Sequence, residues 1–417
     1  MNFQATQPMP PAVDRYPLAA DTMGVAEMNA IRTTLESGQL TMGPRVREFE
    51  RAFAAWVGSE HAVMVNSGSS ANLLIIDSLI RSSIAQSSLQ AGDEIIVPGL
   101  SWPTTAWPIA QLGLVPVFVD VDPATLAIDL NSAKSVLGPK TRGLFLIHAL
   151  GRAADVSSYL EFCARNGLEF IEDCCESLGA YSSASHVGTE SRAASFSFYF
   201  SHHISTIEGG MVVTSDARLA DEFRGLRAHG WIRDRSDRDE WIDRNPTLDS
   251  RFLFASVGYN VRPTEIQGAI GNVQLQRLDQ MLFARDSLAR AVNGWLETNA
   301  PWLELIGRET LAAAAPSDRS GRTNSWMTLP LRLRSDAPVS RDDVARHFER
   351  CRVETRPIIA GNLSRHPAVQ LIDHRVAGSM TTCDSLLSDT FMIGCHPILS
   401  TGSLTTLEAA ITSLSEF

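Results

Sequence analysis

The chain has 417 residues, which is too long for one small core, so a large domain and a smaller one are expected. A formal net charge of -11 argues against a nucleic-acid-binding or anionic-membrane surface, since either needs a basic patch. No apolar run approaches the roughly 20 residues of a membrane span. Six cysteines without a C-x-x-C pair or a secretory signal indicate reduced thiols and a cytoplasmic protein.

The first half of the chain alternates short apolar runs with amphipathic stretches, in the pattern of strands and helices. A helix is predicted over residues 70–80. Strands recurring with helices between them predict an α/β fold with a mostly parallel sheet covered on both faces. The predicted strands span residues 62–66, 94–98, 115–121, 143–147, 169–173 and 211–214.

The character of the sequence changes after about residue 267. A long helix is predicted over residues 268–295, followed by a loop-rich stretch, a strand at 327–333 and a helix at 341–351. The mixed-charge segment 233–251 lacks apolar periodicity and is predicted to be an exposed loop. The predicted organisation is a flexible N-terminal arm (1–15), a large domain (16–275) and a small C-terminal α+β domain (276–417).

Two segments of the large domain are candidates for binding a ligand that carries both an anionic group and a protonated ring. The small residues at 66–71 (NSGSSA) lie between a strand and a helix, where backbone N–H groups can surround an anion. Asp173 ends a predicted parallel strand, the place where ligands bind in open α/β sheets, and it could pair with a protonated pyridine nitrogen. The alternatives are a plain strand–helix turn and a capping or surface aspartate.

A third candidate segment places two histidines between an aromatic strand and a Glu-Gly-Gly turn. Adjacent side chains point in different directions, so at most one of His202 and His203 faces a site. A metal site is disfavoured because no further ligand stands at a recognisable spacing.

These three segments, in this order and spacing, resemble the DegT/DnrJ/StrS family of sugar aminotransferases. The resemblance extends from about Tyr16 to the C-terminus. It implies the aspartate-aminotransferase-like fold (fold type I) of pyridoxal-phosphate (PLP) enzymes. The matching motifs are LTMGP at 40–44, GDEIIVP at 92–98, ED at 172–173, LGA at 178–180, EGG at 208–210 and GYNVRP at 258–263.

The resemblance also implies roles for individual residues. Trp102 would stack on the pyridine ring, Asp173 would pair with its nitrogen, and Glu176 would lie beside the ring where most relatives have Gln. Asn260 would reach the phosphate of the partner subunit's cofactor, which implies an obligate homodimer, and Arg262 would bind the carboxylate of an amino donor. The residues that would bind the phosphate are Gly68, Ser69 and Ser197.

One position departs from the family pattern. Six residues before Glu208, where most of the family has the lysine that bonds to PLP, this chain has His202. Pyridoxamine phosphate (PMP) held without a covalent bond can condense with a ketosugar, and histidine can act as base and then as acid. This exchange resembles the branch of sugar 3-dehydratases.

The expected reaction is therefore dehydration at C3 of a nucleotide-linked 4-keto-6-deoxyhexose. A GDP-linked mannose derivative is expected as substrate, with L-glutamate as the amino donor that regenerates PMP. A CDP- or TDP-linked ketosugar is the alternative, and a non-catalytic protein of the same fold is a further one. The iron–sulfur cluster of some relatives is not expected, because it needs four cysteines including a C-x-C pair, which this chain lacks.

Overall fold

The computed structural model describes residues 15–81, 89–311 and 319–417. The predicted N-terminal arm lies outside the described residues except for Arg15, whose guanidinium pairs with Glu354 at 3.0 Å. Part of the predicted loop-rich stretch, residues 312–318, also lies outside them.

A sheet of eight strands carries the candidate site, in the order β1-β9-β8-β5-β4-β2-β3-β13. The pairs from β8 through β13 are parallel, whereas β9 runs antiparallel to both of its neighbours. The predicted mostly parallel sheet is therefore confirmed. The strands of this first half are β1 (His61–Val65), β2 (Glu94–Pro98), β3 (Val115–Val119), β4 (Thr141–Ile147), β5 (Glu169–Asp173), the short hairpin β6 (Tyr181–Ser182) and β7 (Ser185–His186), β8 (Ala194–Ser197) and β9 (Gly210–Thr214).

Helices cover both faces of this sheet. Successive residues of a strand face opposite sides, so each strand contributes side chains to the contacts on both faces. In β1, Val63 and Val65 pack with α3, α4 and α7, whereas Ala62 and Met64 pack on the other face with α2 and the start of α9. Helices α5 and α6 extend that second face. The helices are α1 (Val25–Ser37), α2 (Pro44–Val57), α3 (Gly68–Arg81), α4 (Pro103–Gln111), α5 (Leu130–Ser135), α6 (Val156–Asn166), α7 (Ala217–Leu226), α8 (Arg238–Arg244) and α9 (Glu265–Asn299).

A second sheet, of four antiparallel strands in the order β10-β11-β14-β12, forms the C-terminal part of the fold. One C-terminal strand, β13, instead returns to the large sheet and pairs with β3. The remaining elements are β10 (Leu303–Leu305), β11 (Thr328–Leu333), α10 (Arg341–Arg350), β12 (Thr355–Pro357), β13 (Arg375–Val376), α11 (Thr381–Asp389), β14 (Thr390–Gly394) and α12 (Thr401–Thr412).

Helix α9 joins the two parts and is longer at both ends than predicted. Thr264 begins it with a capping box, in which its hydroxyl and the Gln267 side chain each bond the other residue's backbone N–H. Its first half packs into the large core through Leu282, and its second half packs into the small core from Leu288 onward. The division of the chain at residue 275 stays a prediction. Among the described helices, none is both long and apolar enough to cross a membrane.

The segment 233–251, predicted as a loop, contains α8 and two 3-10 turns, so that prediction was wrong. Polar pairs stabilise this short helix in place of an apolar face. The Arg235 guanidinium contacts Asp237 at 2.6 Å before the helix, and Arg244 contacts Glu240 one turn apart at 3.1 Å.

Candidate active site

The turn between β1 and α3 brings backbone close to the end of β8. A Cβ atom at Gly68 would lie 2.7 Å from Cβ of Ser197 and 2.8 Å from Sγ of Cys175, so only glycine fits. Ser69, the second residue of α3, is exposed. The structure thus brings together the three residues expected to bind a phosphate, at a helix N-terminus where N–H groups attract anions.

Asp173 lies buried at the carboxyl end of β5 and accepts three hydrogen bonds from neutral donors. Its Oδ2 accepts the Asn72 amide and the Thr105 hydroxyl, each at 2.8 Å, and its Oδ1 accepts the Cys175 N–H at 3.1 Å. A carboxylate can accept about four hydrogen bonds, so Oδ1 keeps one free position. An anion held by neutral donors, with one acceptor position left, fits the protonated ring nitrogen of a pyridoxal cofactor.

Asn72 and Thr105 were missed by the sequence analysis. Both are buried, one near the start of α3 and one near the start of α4, on helix faces where most of the other buried residues are apolar. A polar side chain on such a face needs a partner, which is the sequence signal that could have indicated them.

Trp102 stands at the same edge of the sheet, directly before α4. The Thr105 N–H donates to the Trp102 carbonyl at 3.1 Å, so Trp102 belongs to the turn that orients Thr105 toward Asp173. The indole is 56% exposed, an unusual state for a large aromatic side chain beside a buried acid. This exposure is consistent with the predicted stacking on a cofactor ring.

His202 faces the loop that follows Asp173. Its Nδ1 lies 2.6 Å from the Cys175 carbonyl oxygen. Since a carbonyl only accepts, Nδ1 carries the proton and Nε2 of the neutral ring has a free lone pair. Burial lowers the pKa of His202 to about 4, although the bond to Cys175 and the charge of Asp173 act in the opposite direction. The imidazole is therefore a neutral base at physiological pH.

His203 points away from this site. Its side chain is buried, and Nε2 lies 3.2 Å from the carbonyl oxygen of Ser325 in the C-terminal part of the chain. The geometry supports His202, and not His203, as the residue at the position of the family lysine.

Glu176 directly follows Cys175, whose carbonyl bonds His202. Its Oε2 accepts the backbone N–H of Leu150 at 2.8 Å, a residue with a positive φ of 57°. Burial raises the pKa of Glu176 to about 7, and the nearby charge of Asp173 adds to this effect. Glu176 therefore changes protonation near neutral pH.

Asn260 and Arg262 lie next to the turn between β1 and α3 of their own chain. The Asn66 N–H donates to the carbonyl of Val261, the residue between them, at 3.0 Å. The Arg262 guanidinium donates from Nε to the Asn260 amide oxygen at 3.0 Å. Their predicted contacts with a partner subunit and with a donor carboxylate stay predictions.

The whole sequence contains only two lysines, Lys134 and Lys140. Both are exposed. Lys140 precedes β4, at the strand end opposite the edge where Asp173 lies, and Lys134 is on α5, on the sheet face away from α3 and α4. No lysine of this chain is therefore placed to bond to a cofactor beside Asp173.

The sequence matches the DegT/DnrJ/EryC1/StrS aminotransferase family over residues 21–412. The chain belongs to this family. The resemblance inferred from the motifs is thus confirmed, and so is the aspartate-aminotransferase-like fold.

Individual members of the family are similar over nearly the whole chain. The GDP-4-keto-6-deoxy-D-mannose 3-dehydratase of Yersinia pseudotuberculosis is 35% identical over 387 residues, which cover 92% of this chain and 94% of the relative. The E. coli enzyme of the same name, solved with bound hydrated PLP, is 32% identical with a TM-score of 0.83, covering 95% of this chain and 99% of that one. A structure of the dehydratase with a trapped PLP-glutamate geminal diamine is equally similar, at 32% identity and a TM-score of 0.83 over 96% and 99% of the two chains.

The residues of this site fall into two groups, one for binding a cofactor and one for proton transfer. Gly68, Ser197 and Asp173 are the residues that could hold a phosphorylated pyridine, and Trp102 is the residue predicted to stack on it. His202 provides a base that forms no lasting bond with an aldehyde. Such a site can move protons and expel a leaving group, whereas it lacks the covalent anchor of an ordinary aminotransferase.

Proposed function

We propose that this chain is a PMP- and PLP-dependent 3-dehydratase of GDP-4-keto-6-deoxy-D-mannose, with L-glutamate as the amino donor that restores PMP. The relatives of that name and the solved structure with PLP and glutamate support the substrate, the cofactor and the donor. The reaction removes the C3 hydroxyl of the sugar as water.

One observation carries the proposal: a neutral histidine with a free Nε2 stands in a PLP-binding frame without a lysine. The Cys175 carbonyl accepts the Nδ1 proton of His202, which leaves the lone pair of the opposite nitrogen free. The pKa of His202, lowered by burial to about 4, keeps that nitrogen unprotonated at the pH of the cell.

The residues of the chain divide the work of this reaction. When bound, PMP supplies an amine that condenses with the sugar ketone and a ring that accepts electrons. Asp173 holds the proton on the ring nitrogen, which preserves the electron-accepting character of the ring. His202 takes up a proton at Nε2 and returns it to the departing C3 hydroxyl, which leaves as water. Trp102 covers one face of the site and excludes water from it.

We also propose that the enzyme works as a homodimer in the cytoplasm. Large apolar side chains remain exposed around the site in the single chain, among them Tyr199, Phe200 and Ile207. Such a group of exposed apolar residues is typical of a protein–protein interface. A second copy would bury them and bring its Asn260 to the phosphate.

The test is a direct assay of dehydration. Purified protein, PLP and L-glutamate are incubated with GDP-4-keto-6-deoxymannose, and mass spectrometry follows the net loss of one oxygen atom from the sugar nucleotide, because each turnover expels one water and takes two hydrogen equivalents from the amine that glutamate restores. CDP- and TDP-linked 4-keto-6-deoxyhexoses run in parallel, so that a preference for another nucleotide is visible. His202→Asn is the negative control, because it keeps the size of the side chain but cannot act as the base.

Two results would contradict the proposal. Absence of dehydration with all three sugar nucleotides would exclude the dehydratase. A dialysed protein that acquires no near-ultraviolet cofactor absorbance from PMP or PLP would instead support a non-catalytic role.

A further inference from the structure

The middle of α9 contains a buried arginine, Arg285, which is not among the residues proposed to transfer or hold protons. Arg285 is fully buried, and it stands between Leu282, which packs in the large core, and Leu288, which packs in the small core. Burying a guanidinium is costly unless its charge and its donors are satisfied. An arginine at this crossing point therefore calls for an explanation.

The acceptors that the described residues offer to Arg285 are backbone carbonyl oxygens from separate segments. Nη1 donates to Trp326 and Met327, each at 3.0 Å, and also to Cys395. These three carbonyls belong to the small domain, next to β11 and β14. Nη2 lies 3.4 Å from the carbonyl oxygen of His202. The planar, five-donor guanidinium is the side chain best suited to join such segments.

The same small-domain segment also reaches the other proton-handling group of the site. The Met327 N–H donates to the Leu150 carbonyl at 3.1 Å, and the Leu150 N–H donates to the Glu176 carboxylate at 2.8 Å. The Arg285 guanidinium therefore bonds the backbone of His202 directly. It also bonds Met327, whose N–H contacts Leu150, the residue that donates to Glu176.

The charge of Arg285 acts on His202 as well. Charged or titratable groups face the His202 ring from three directions: Asp173 at the end of β5, Arg285 on α9, and the neighbouring His203. Burial is the largest cause of the lowered pKa of His202, and the positive charge of Arg285 lowers it further. All hydrogen-bond acceptors of the guanidinium in the described part of the chain are neutral, so no carboxylate bonded to it offsets this charge.

We propose that Arg285 is a positioning residue of the reaction, which holds His202 and, through Leu150, Glu176 in fixed places against the small domain. It touches neither cofactor nor substrate. The kinetic part of this inference rests on the proposed function, whereas the effect of Arg285 on the His202 imidazole is measurable without turnover.

The experiment compares Arg285→Met, which removes the charge, with Arg285→Lys, which keeps it. Arg290→Met is the matched control, because Arg290 lies on the same helix and also bonds a backbone carbonyl, that of Leu311, at 2.6 Å. The first readout is the rate at which diethyl pyrocarbonate modifies His202, measured by peptide mass spectrometry between about pH 3.5 and 8. Only the neutral imidazole reacts, so this rate reports its protonation. The second readout is kcat and KM for the ketosugar.

We expect the modification rate of His202 to fall with a midpoint near pH 4 in the wild type, and at about the same pH in Arg285→Lys and Arg290→Met. In Arg285→Met the midpoint should lie at a higher pH, because the loss of the cation raises the pKa of His202. Both Arg285 variants should lower kcat roughly tenfold to a hundredfold with little change in KM, since misplacement of the base affects chemistry more than binding. Arg290→Met should keep the wild-type kcat.

Three results would overturn the inference. A folded Arg285→Met protein with the wild-type midpoint shows that the charge does not act on His202, even if the wild type has no dehydratase activity. Unchanged kcat in Arg285→Met refutes the positioning role. If circular dichroism shows that Arg285→Met does not fold, unchanged kcat in Arg285→Lys refutes that role in its place.

Discussion

Replacing Glu176 by glutamine should stabilise the protein at neutral and alkaline pH but not at acidic pH. A carboxyl whose pKa rises from 4.5 in the unfolded chain to about 7 in the folded one is ionised more readily when unfolded. The folded state therefore loses stability as the pH rises from 4.5 to about 7, and the loss persists above that value. Glutamine is neutral in both states, and its side-chain oxygen can still accept the Leu150 N–H.

The size of the effect follows from the pKa difference. The gap between 4.5 and about 7, at about 1.4 kcal/mol for each pH unit, amounts to about 3 kcal/mol in the free energy of unfolding. Because Glu176 is only partly buried, solvent screening should reduce this to about 2 kcal/mol.

The assay is urea unfolding of the cofactor-free protein, followed by tryptophan fluorescence at about pH 5 and about pH 8. The midpoint of Glu176→Gln should exceed that of the wild type at the higher pH and come close to it at the lower pH. Equal midpoint differences at both pH values would refute the argument, because a change in packing alone does not depend on pH. The same variant should also abolish any change in kcat near pH 7 that arises from Glu176.

Other substitutions test the site residue by residue. His202→Lys should form a covalent bond with PLP that borohydride fixes for peptide mass spectrometry, whereas His203→Lys should not; the reverse result would show that the wrong histidine was assigned. Gly68→Ala should weaken PMP binding at least about tenfold in a fluorescence titration, because the added Cβ meets atoms at 2.7 Å, while Gly294→Ala, which meets nothing within 4 Å, should not. Mixing an Asn260→Ala subunit with a His202→Asn subunit should restore part of the activity, since one complete site forms in each mixed dimer; failure would place Asn260 in its own chain's site.

The sheet could be predicted from the sequence because each buried strand is a short apolar run. The predicted strands at 94–98 and 169–173 agree with the structure residue for residue. Helix α8 was missed for the converse reason, because it buries no side chain and so shows no apolar period. Local ion pairs leave no regular pattern in a sequence.

The candidate site divides in the same way. Gly68, Asp173 and His202 stand in motifs whose spacing along the chain marks them. Arg285 stands in no such motif. Its role depends on backbone carbonyl groups far from it in sequence. Because every residue has a carbonyl, the sequence does not mark these partners. Backbone partners of this kind become visible only once the chain is folded.

The scarcity of lysine has a consequence for how the enzyme keeps its cofactor. A covalent anchor retains PLP at any dilution, whereas a site formed by hydrogen bonds and stacking fills according to the free concentration of cofactor. We therefore expect PMP to behave as an exchangeable ligand, which leaves during gel filtration and returns when it is added back. In the cell, the active fraction of this protein would therefore follow the free concentration of the cofactor more closely than that of an enzyme with a covalent lysine anchor.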